Sequence, residues 1–248
     1  MNTNKDQIYR SAEATVHTKP GSFVFDKRVA SVFADMISRS VPGYQQILEM
    51  LPTLTRRFST QNSNYYDLGC SLGAGMLAMA EGLGQTSAHL IGVDNSRAMI
   101  EQAERNLLIL EPKSASYSLL EQDLLDTKIE SAAMVLMNFT LQFVPLIKRD
   151  SLIEKIYVGL LDGGSLVLSE KIRFDDDKTN NALIDIHHQY KSDQGYSQME
   201  ISQKRDAIVN VLIPETLETH VKRLKNAGFN VVTPWVQNLQ FISILAIK

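Results

Sequence analysis

The chain contains one cysteine, Cys70, in 248 residues. One thiol cannot close an internal disulfide or supply a thiolate metal cage. No stretch reaches the roughly 18 apolar residues of a membrane-spanning helix, and the first ten residues, MNTNKDQIYR, lack the apolar centre of a signal peptide. The expectation is a soluble, cytoplasmic protein. Basic charge is also scarce: 25 Lys and Arg stand against 28 Asp and Glu, a formal net charge of -3. A protein that neutralises a phosphate backbone needs a basic excess, so direct nucleic-acid binding is not expected. Low-complexity tracts and internal repeats are missing, which sets aside disorder, fibres and solenoids. His187 and His188 have no carboxylate and histidine set around them at metal-ligand spacing, so no metal site is expected. No Ser-His-Asp or Cys-His arrangement is recognisable from spacing, and Cys70 reads as small filler in a turn.

What is present is an alternation. Short runs rich in Val, Ile and Leu at 65–67, 90–94, 134–138 and 165–169 are separated by stretches of helical period. Such alternation implies βαβ units and a parallel sheet. Ser96 is placed to cap a helix whose Met99, Ala103 and Leu107 share one face. Leu152, Ile153, Ile156 and Leu160 repeat the pattern until Gly163 and Gly164 stop it. After a helix carrying Leu217, Val221 and Leu224 and ending at Gly228, two apolar runs at 231–235 and 241–246 predict a hairpin at the sheet's edge. A doubly wound parallel sheet that ends in an antiparallel hairpin resembles the class I methyltransferase fold, a Rossmann-like α/β architecture. One domain over 1–248 is expected, with a core formed by 61–173 and 214–248. Two extra segments, a helical N-terminal stretch at 1–60 and a helical insertion at 174–213, are too long for ordinary connections and predict lids or a subunit interface.

The turn after the first strand carries Asp67, Gly69, Cys70, Ser71 and Gly73. Glycine there lets backbone N–H groups approach a ligand. A dinucleotide fingerprint requires a further glycine between Gly69 and Gly73; the spacing found here resembles instead the first methyltransferase motif. Asp94 and Asn95 end the second strand, where a carboxylate can accept from two ribose hydroxyls. Asp123 and Leu124 end the third strand pattern and can meet an adenine amino group and face. Asn138 ends the fourth, at the sheet edge where ligands of such folds bind. Each position also has a bland reading as a turn or cap; their coincidence at successive strand ends points to a nucleoside site. The run 175–177 reads as a solvated helix start. Lys204 and Arg205 stand in the insertion, where an arginine fork can grip a carboxylate.

Six segments carry a closer likeness: FDKRVASVFADMISRSVPGY (25–44), DLGCSLGAG (67–75), VDNSRAMIE (93–101), MNFTLQF (137–143), LSEK (168–171) and GYSQMEISQKR (195–205). Together they resemble the carboxy-S-adenosyl-L-methionine synthase family over nearly the whole chain; the first dozen residues match poorly. The resemblance implies a homodimeric enzyme that uses S-adenosyl-L-methionine and prephenate to form carboxy-S-adenosyl-L-methionine and phenylpyruvate. It also implies a downstream partner, a separate tRNA carboxymethyltransferase that uses the product to make 5-oxyacetyl uridine at the wobble position. By position it implies that Tyr44, Gly69, Cys70 and Ser71 contact the cofactor, that Asp94 and Asn95 hold its ribose, and that Asp123 and Leu124 hold its adenine. Asn138 would face the ligand's centre, and Arg205 would bind the added carboxylate as the catalytic arginine. In the implied chemistry prephenate loses its ring carboxylate as carbon dioxide and sheds hydroxide, the sulfonium methyl group gives up a proton, and that carbon captures the carbon dioxide. Confinement then replaces a side-chain base. Two other readings share the fold: a small-molecule methyltransferase, and a non-catalytic carrier of an adenosyl ligand.

Overall fold

The computed structural model describes residues 5, 6, 8, 23–110 and 115–248. The start read for a signal peptide, and the N-terminal part of the 1–60 segment, lie almost wholly outside the described residues. Two helices, α1 (Lys27–Ser40) and α2 (Tyr44–Arg57), precede β1 (Ser63–Leu68). The chain then runs α3 (Ala74–Leu83), β2 (Ala88–Asp94), α4 (Arg97–Leu107), β3 (Ala115–Glu121), β4 (Ala132–Asn138), a 3-10 turn (Leu141–Phe143), α5 (Leu146–Gly159) and β5 (Leu160–Lys171). Helices α6 (Asp177–Asp193), α7 (Gln198–Ile208) and α8 (Leu217–Ala227) follow, then β6 (Val231–Asn238) and β7 (Phe241–Ile247).

One sheet of seven strands runs in the order β3-β2-β1-β4-β5-β7-β6. The first five strands are mutually parallel, and β7 is antiparallel to both β5 and β6. Strand order reverses between β1 and β4, which opens a crevice at their carboxyl ends. Period-two alternation divides the core: Tyr65, Met134 and Leu136 pack on one side with Met76 and Met79 of α3 and Leu107 of α4. Tyr66, Val135 and Met137 pack on the other with Ile153 and Ile156 of α5 and Leu224 of α8. β4 is buried on both faces, as a central parallel strand must be.

Several local readings hold. Ser96 accepts from the Met99 N–H at the start of α4, and Asp176 accepts from the Thr179 N–H at the start of α6. Not read from the sequence is the reciprocal capping box that Ser197 and Glu200 form on α7. One reading is corrected. α5 ends at Gly159, and Leu160 already pairs with Ala132 as the first residue of β5; the glycine pair lies inside the strand, where the register shifts to Met134 against Ser165. Leu160 is apolar and buried in either role, so the helical period extended through it. The expected hairpin at the sheet's edge is present: β7 pairs with β5, and β6, which carries Pro234, forms the edge strand, where a missing N–H is tolerated.

Glu170, near the end of β5, is buried and accepts from the Leu141 N–H at 2.8 Å, while its Oε2 has no partner. Burial pushes its pKa up to about 8, against the pull of Arg149 and two backbone N–H groups. The folded chain therefore holds a proton here that the unfolded chain, with an ordinary carboxyl, releases at lower pH. The associated stability is complete below the ordinary carboxyl range and is lost as pH rises through about 8. Glu170→Gln, neutral at every pH, is expected to melt close to the parent at pH 5 and above it at pH 9, read by thermal unfolding at both. The same melting difference at the two pH values would contradict a buried, protonated Glu170.

Candidate active site

A cavity of about 530 Å³ opens at the carboxyl ends of β1, β2 and β4 and extends under α1, α2 and α7. That volume suits a ligand of nucleoside size or larger. Its wall includes Tyr44, Gly69, Cys70, Ser71, Asp94, Asn95, Asp123, Leu124 and Asn138. The sequence-derived positions at four strand ends, with Tyr44 from α2, are thus brought to one space.

The turn is held by backbone bonds. The Gly69 and Cys70 N–H groups both donate to the Val93 carbonyl, at 2.8 and 2.9 Å. The Ser71 N–H donates to Asp94 Oδ2 at 3.0 Å, and Asp94 Oδ1 accepts from the Ser96 N–H at 2.9 Å. Asp94 thereby joins the glycine turn to the start of α4. Gly69 adopts φ +84°, and a side chain there would overlap Thr140, so both conformation and space require glycine. Asp123 makes an Asx turn by accepting from the Leu125 N–H at 2.8 Å and still lines the cavity.

Burial dominates the electrostatics of these groups. Asp67 lies beneath the start of α3; burial and then the neighbouring Asp94 raise its pKa to about 7, opposed by a bond from the Met76 N–H. Burial likewise raises Asp94, against bonds from Ser96 and Ser71. Cys70 is pushed well up by burial and by Asp67 and Asp94, which disfavours a thiolate nucleophile. Tyr44 is raised by burial and by Asp67 and stays a neutral phenol. Asn138 Oδ1 is buried without a partner while the residue lines the cavity. A buried acceptor of this kind calls for a donor from a ligand. With the glycine cradle that a Cβ would fill, it fits an adenosyl amino acid, whose amine and hydroxyls are donors.

Sequence reading missed the aromatic lining. Phe25 packs edge-on to Phe23, Phe143 and Phe33 at ring separations of 5.0, 5.5 and 6.1 Å, and these rings, with Phe139 and Phe241, line the cavity. Phe23 and Phe25 flank Val24 just before α1, a short apolar run without a period to mark it.

Arg205 is not among the residues that line the cavity. It is exposed, and its guanidinium pairs with Asp206 at 3.1 Å; Lys204 lines the cavity instead and donates to Ser40 Oγ at 2.9 Å. The cause is helical register. Ile201, Lys204 and Ala207 form the buried face of α7, and Arg205 lies about 100° around the helix from Lys204. A carboxylate clamp at Arg205 is therefore not assembled within one chain.

Among the described residues no group of three or more His, Cys, Asp or Glu could hold a metal ion, and no helix is long and apolar enough to cross a membrane.

A family model described as a methyltransferase domain matches residues 66–164. A carboxy-S-adenosyl-L-methionine synthase from Hahella chejuensis is 47% identical over 253 residues, covering all of both chains. One from Aliivibrio fischeri is 46% identical over 245 residues, covering 99% of each. Among solved structures, an O-methyltransferase family protein from Burkholderia thailandensis superposes with a TM-score of 0.65 at 15% identity, covering 96% of this chain and 67% of that one. Human N-acetylserotonin methyltransferase in complex with SAM gives 0.58 at 15% identity, covering 97% of this chain; the chain spans 57% of that protein. At such identities the structures establish the fold, and the full-length relatives establish the family.

Proposed function

The chain belongs to the carboxy-S-adenosyl-L-methionine synthase family, an S-adenosylmethionine-dependent enzyme family with the methyltransferase fold, and on that premise we propose that its reaction partner is prephenate. In this reading the products are carboxy-S-adenosyl-L-methionine and phenylpyruvate, and the former serves a separate tRNA carboxymethyltransferase that builds 5-oxyacetyl uridine at the wobble position. The protein acts in the cytoplasm as a homodimer.

The observation that carries the reading is the character of the cavity. Its polar groups sit at the strand ends, where they suit an adenosyl ligand, and aromatic rings form much of the remaining wall. Asp94 and Asn95 hold the ribose, Asp123 and Leu124 the adenine, and Asn138 the centre of the ligand, with Tyr44 and the 69–71 turn against the amino-acid part. The buried carboxyls are poor proton acceptors for so weak an acid as a sulfonium methyl group: Asp67 titrates at about 7 and is tied to the start of α3. The chain's contribution is then to bind, to orient and to keep bulk water from the reacting carbon.

The described stretch from Phe23 to Leu48, with Lys204, Ile208 and Leu212 of the 174–213 segment, contributes to the wall of that space and serves as its lid. Arg205, exposed on α7, serves as the carboxylate clamp by entering the cavity of the second protomer, which makes the dimer part of the site.

Incubation of the purified protein with S-adenosylmethionine and prephenate is expected to yield carboxy-S-adenosyl-L-methionine and phenylpyruvate in equal amounts by mass spectrometry. Cofactor binding with prephenate left intact would overturn the reading and favour a methyltransferase or a carrier.

A further inference from the structure

Three lysines from three elements meet behind Phe241. Lys171 ends β5, and its Nζ lies 5.9 Å from the centre of the Phe241 ring. His187 of α6 sets its ring edge-on to the same phenylalanine at 4.9 Å, and its Nε2 stands 2.8 Å from the Ser40 carbonyl oxygen. Lys191 follows one helical turn later, on the face of α6 that His187 occupies. Lys204 of α7 donates to the hydroxyl of that same Ser40. Ser40, Phe241 and Lys204 line the cavity; Lys171 and Lys191 stand behind that wall, next to Phe241 and His187, and do not themselves line it.

Little negative charge opposes them. Asp6 stands 3.5 Å from Lys204 and also accepts from the Tyr196 hydroxyl at 2.7 Å. Arg205 is paired with Asp206, and Asp185 acts on His188. Among the described residues neither Lys171 nor Lys191 has a carboxylate partner. Burial first, then the neighbouring charges of Lys204, Lys171 and Arg205, push the pKa of Lys191 down to about 7. Burial also lowers Lys171. His187 and His188 are lowered by burial and by the same lysines, and do not add charge at neutral pH. A partly desolvated cluster of one sign is unfavourable alone and becomes favourable when an anion enters it.

We propose that Lys171, Lys191 and Lys204 form a subsite for a small dicarboxylate, which in the reading above, on which this inference rests, is prephenate. Asp6 is the carboxylate nearest Lys204, and Asp35, which also acts on it, is paired with Arg39, so the three lysines leave a positive surplus that a dianion matches. The cations come from separate elements around an aromatic ring. That arrangement suits charges carried apart on a hydrocarbon body better than the compact charge of a phosphate, which favours arginine forks or a helix N-terminus. The subsite adjoins the adenosyl positions without using any of them, so it can take the second substrate while the first is bound.

The test is calorimetric titration of prephenate into the complex with S-adenosylhomocysteine, which has no sulfonium methyl group and cannot react. Lys191→Met and Lys171→Met are each expected to weaken prephenate about tenfold or more, while affinity for S-adenosylhomocysteine stays within about twofold and reports an intact fold. Lys191→Arg keeps the charge and is expected to retain most of the prephenate affinity. Unchanged prephenate affinity in both methionine variants overturns the subsite, as does equal loss in Lys191→Arg and Lys191→Met. The product assay keeps the two levels apart. If the parent binds prephenate through these lysines and makes no carboxylated product, the reaction fails and the subsite stands; if it makes the product and the methionine variants keep its KM for prephenate, the subsite alone fails.

Discussion

Arg149→Met is expected to lower the melting temperature by about 10 °C, the consequence of about 3 to 5 kcal/mol lost in a domain of this size. Arg149, on α5, is fully buried. Its Nε donates to the Val144 carbonyl at 2.9 Å, its Nη2 to the carbonyls of Gln142 and Ile213 at 3.0 and 2.9 Å, and its Nη1 to Glu215 Oε2 at 2.6 Å. Glu215 is gripped a second time by Arg223, which also reaches Asp150 at 2.6 Å. Methionine fills much of the same volume and supplies none of the donors, so three carbonyls and a carboxylate lose a charged partner together. The bonds also tie the stretch of cavity wall at 142–145 to Ile213, the residue after the wall residue Leu212. Loosened cofactor binding should therefore accompany the lost stability. Scanning calorimetry that finds the variant within about 2 °C of the parent would show that the network is worth little.

Asp94→Ala is expected to reduce affinity for S-adenosylhomocysteine by about 100-fold or more with the fold retained. Asp94 accepts from the Ser71 and Ser96 N–H groups and, in the proposed pose, from the ribose hydroxyls. Each bond to a charged acceptor contributes about 1.5 to 3 kcal/mol, so losing the ribose pair alone accounts for a factor of that order. The freed Ser71 N–H also lets the glycine turn relax. Calorimetry on the variant, with circular dichroism as the check on folding, reads the effect. A loss below about threefold would mean that the ribose is held elsewhere.

Much of the sheet was legible because its signals are local. MVLMN is buried on both faces whatever surrounds it, and Ser96 caps α4 through a bond three residues long. The glycine turn and Asp94 were legible for a similar reason: steric need for a small residue and a carboxylate at a strand end are written in adjacent residues. Distant partners left no such trace. Arg149 looks like one more charge on an amphipathic helix, because Glu215 and Ile213 lie 66 and 64 residues away. Lys204 and Arg205 are neighbours of like charge, and only the packing of α7 decides which faces inward. Leu160 suits the end of a helix and the start of a strand equally, so its pairing with Ala132 had to be seen.

The central claim is that one closed space passes carbon dioxide from prephenate to the sulfonium methyl carbon without releasing it. The most direct measurement is mass spectrometry of the carboxylated product made from prephenate carrying carbon-13 in its ring carboxylate, with an excess of unlabelled bicarbonate in solution. Confinement predicts product that keeps nearly all of the label from the first turnover onward. Product carrying mainly unlabelled carbon would mean that the carboxylate comes from bulk solution, and would contradict the role assigned here to the cavity.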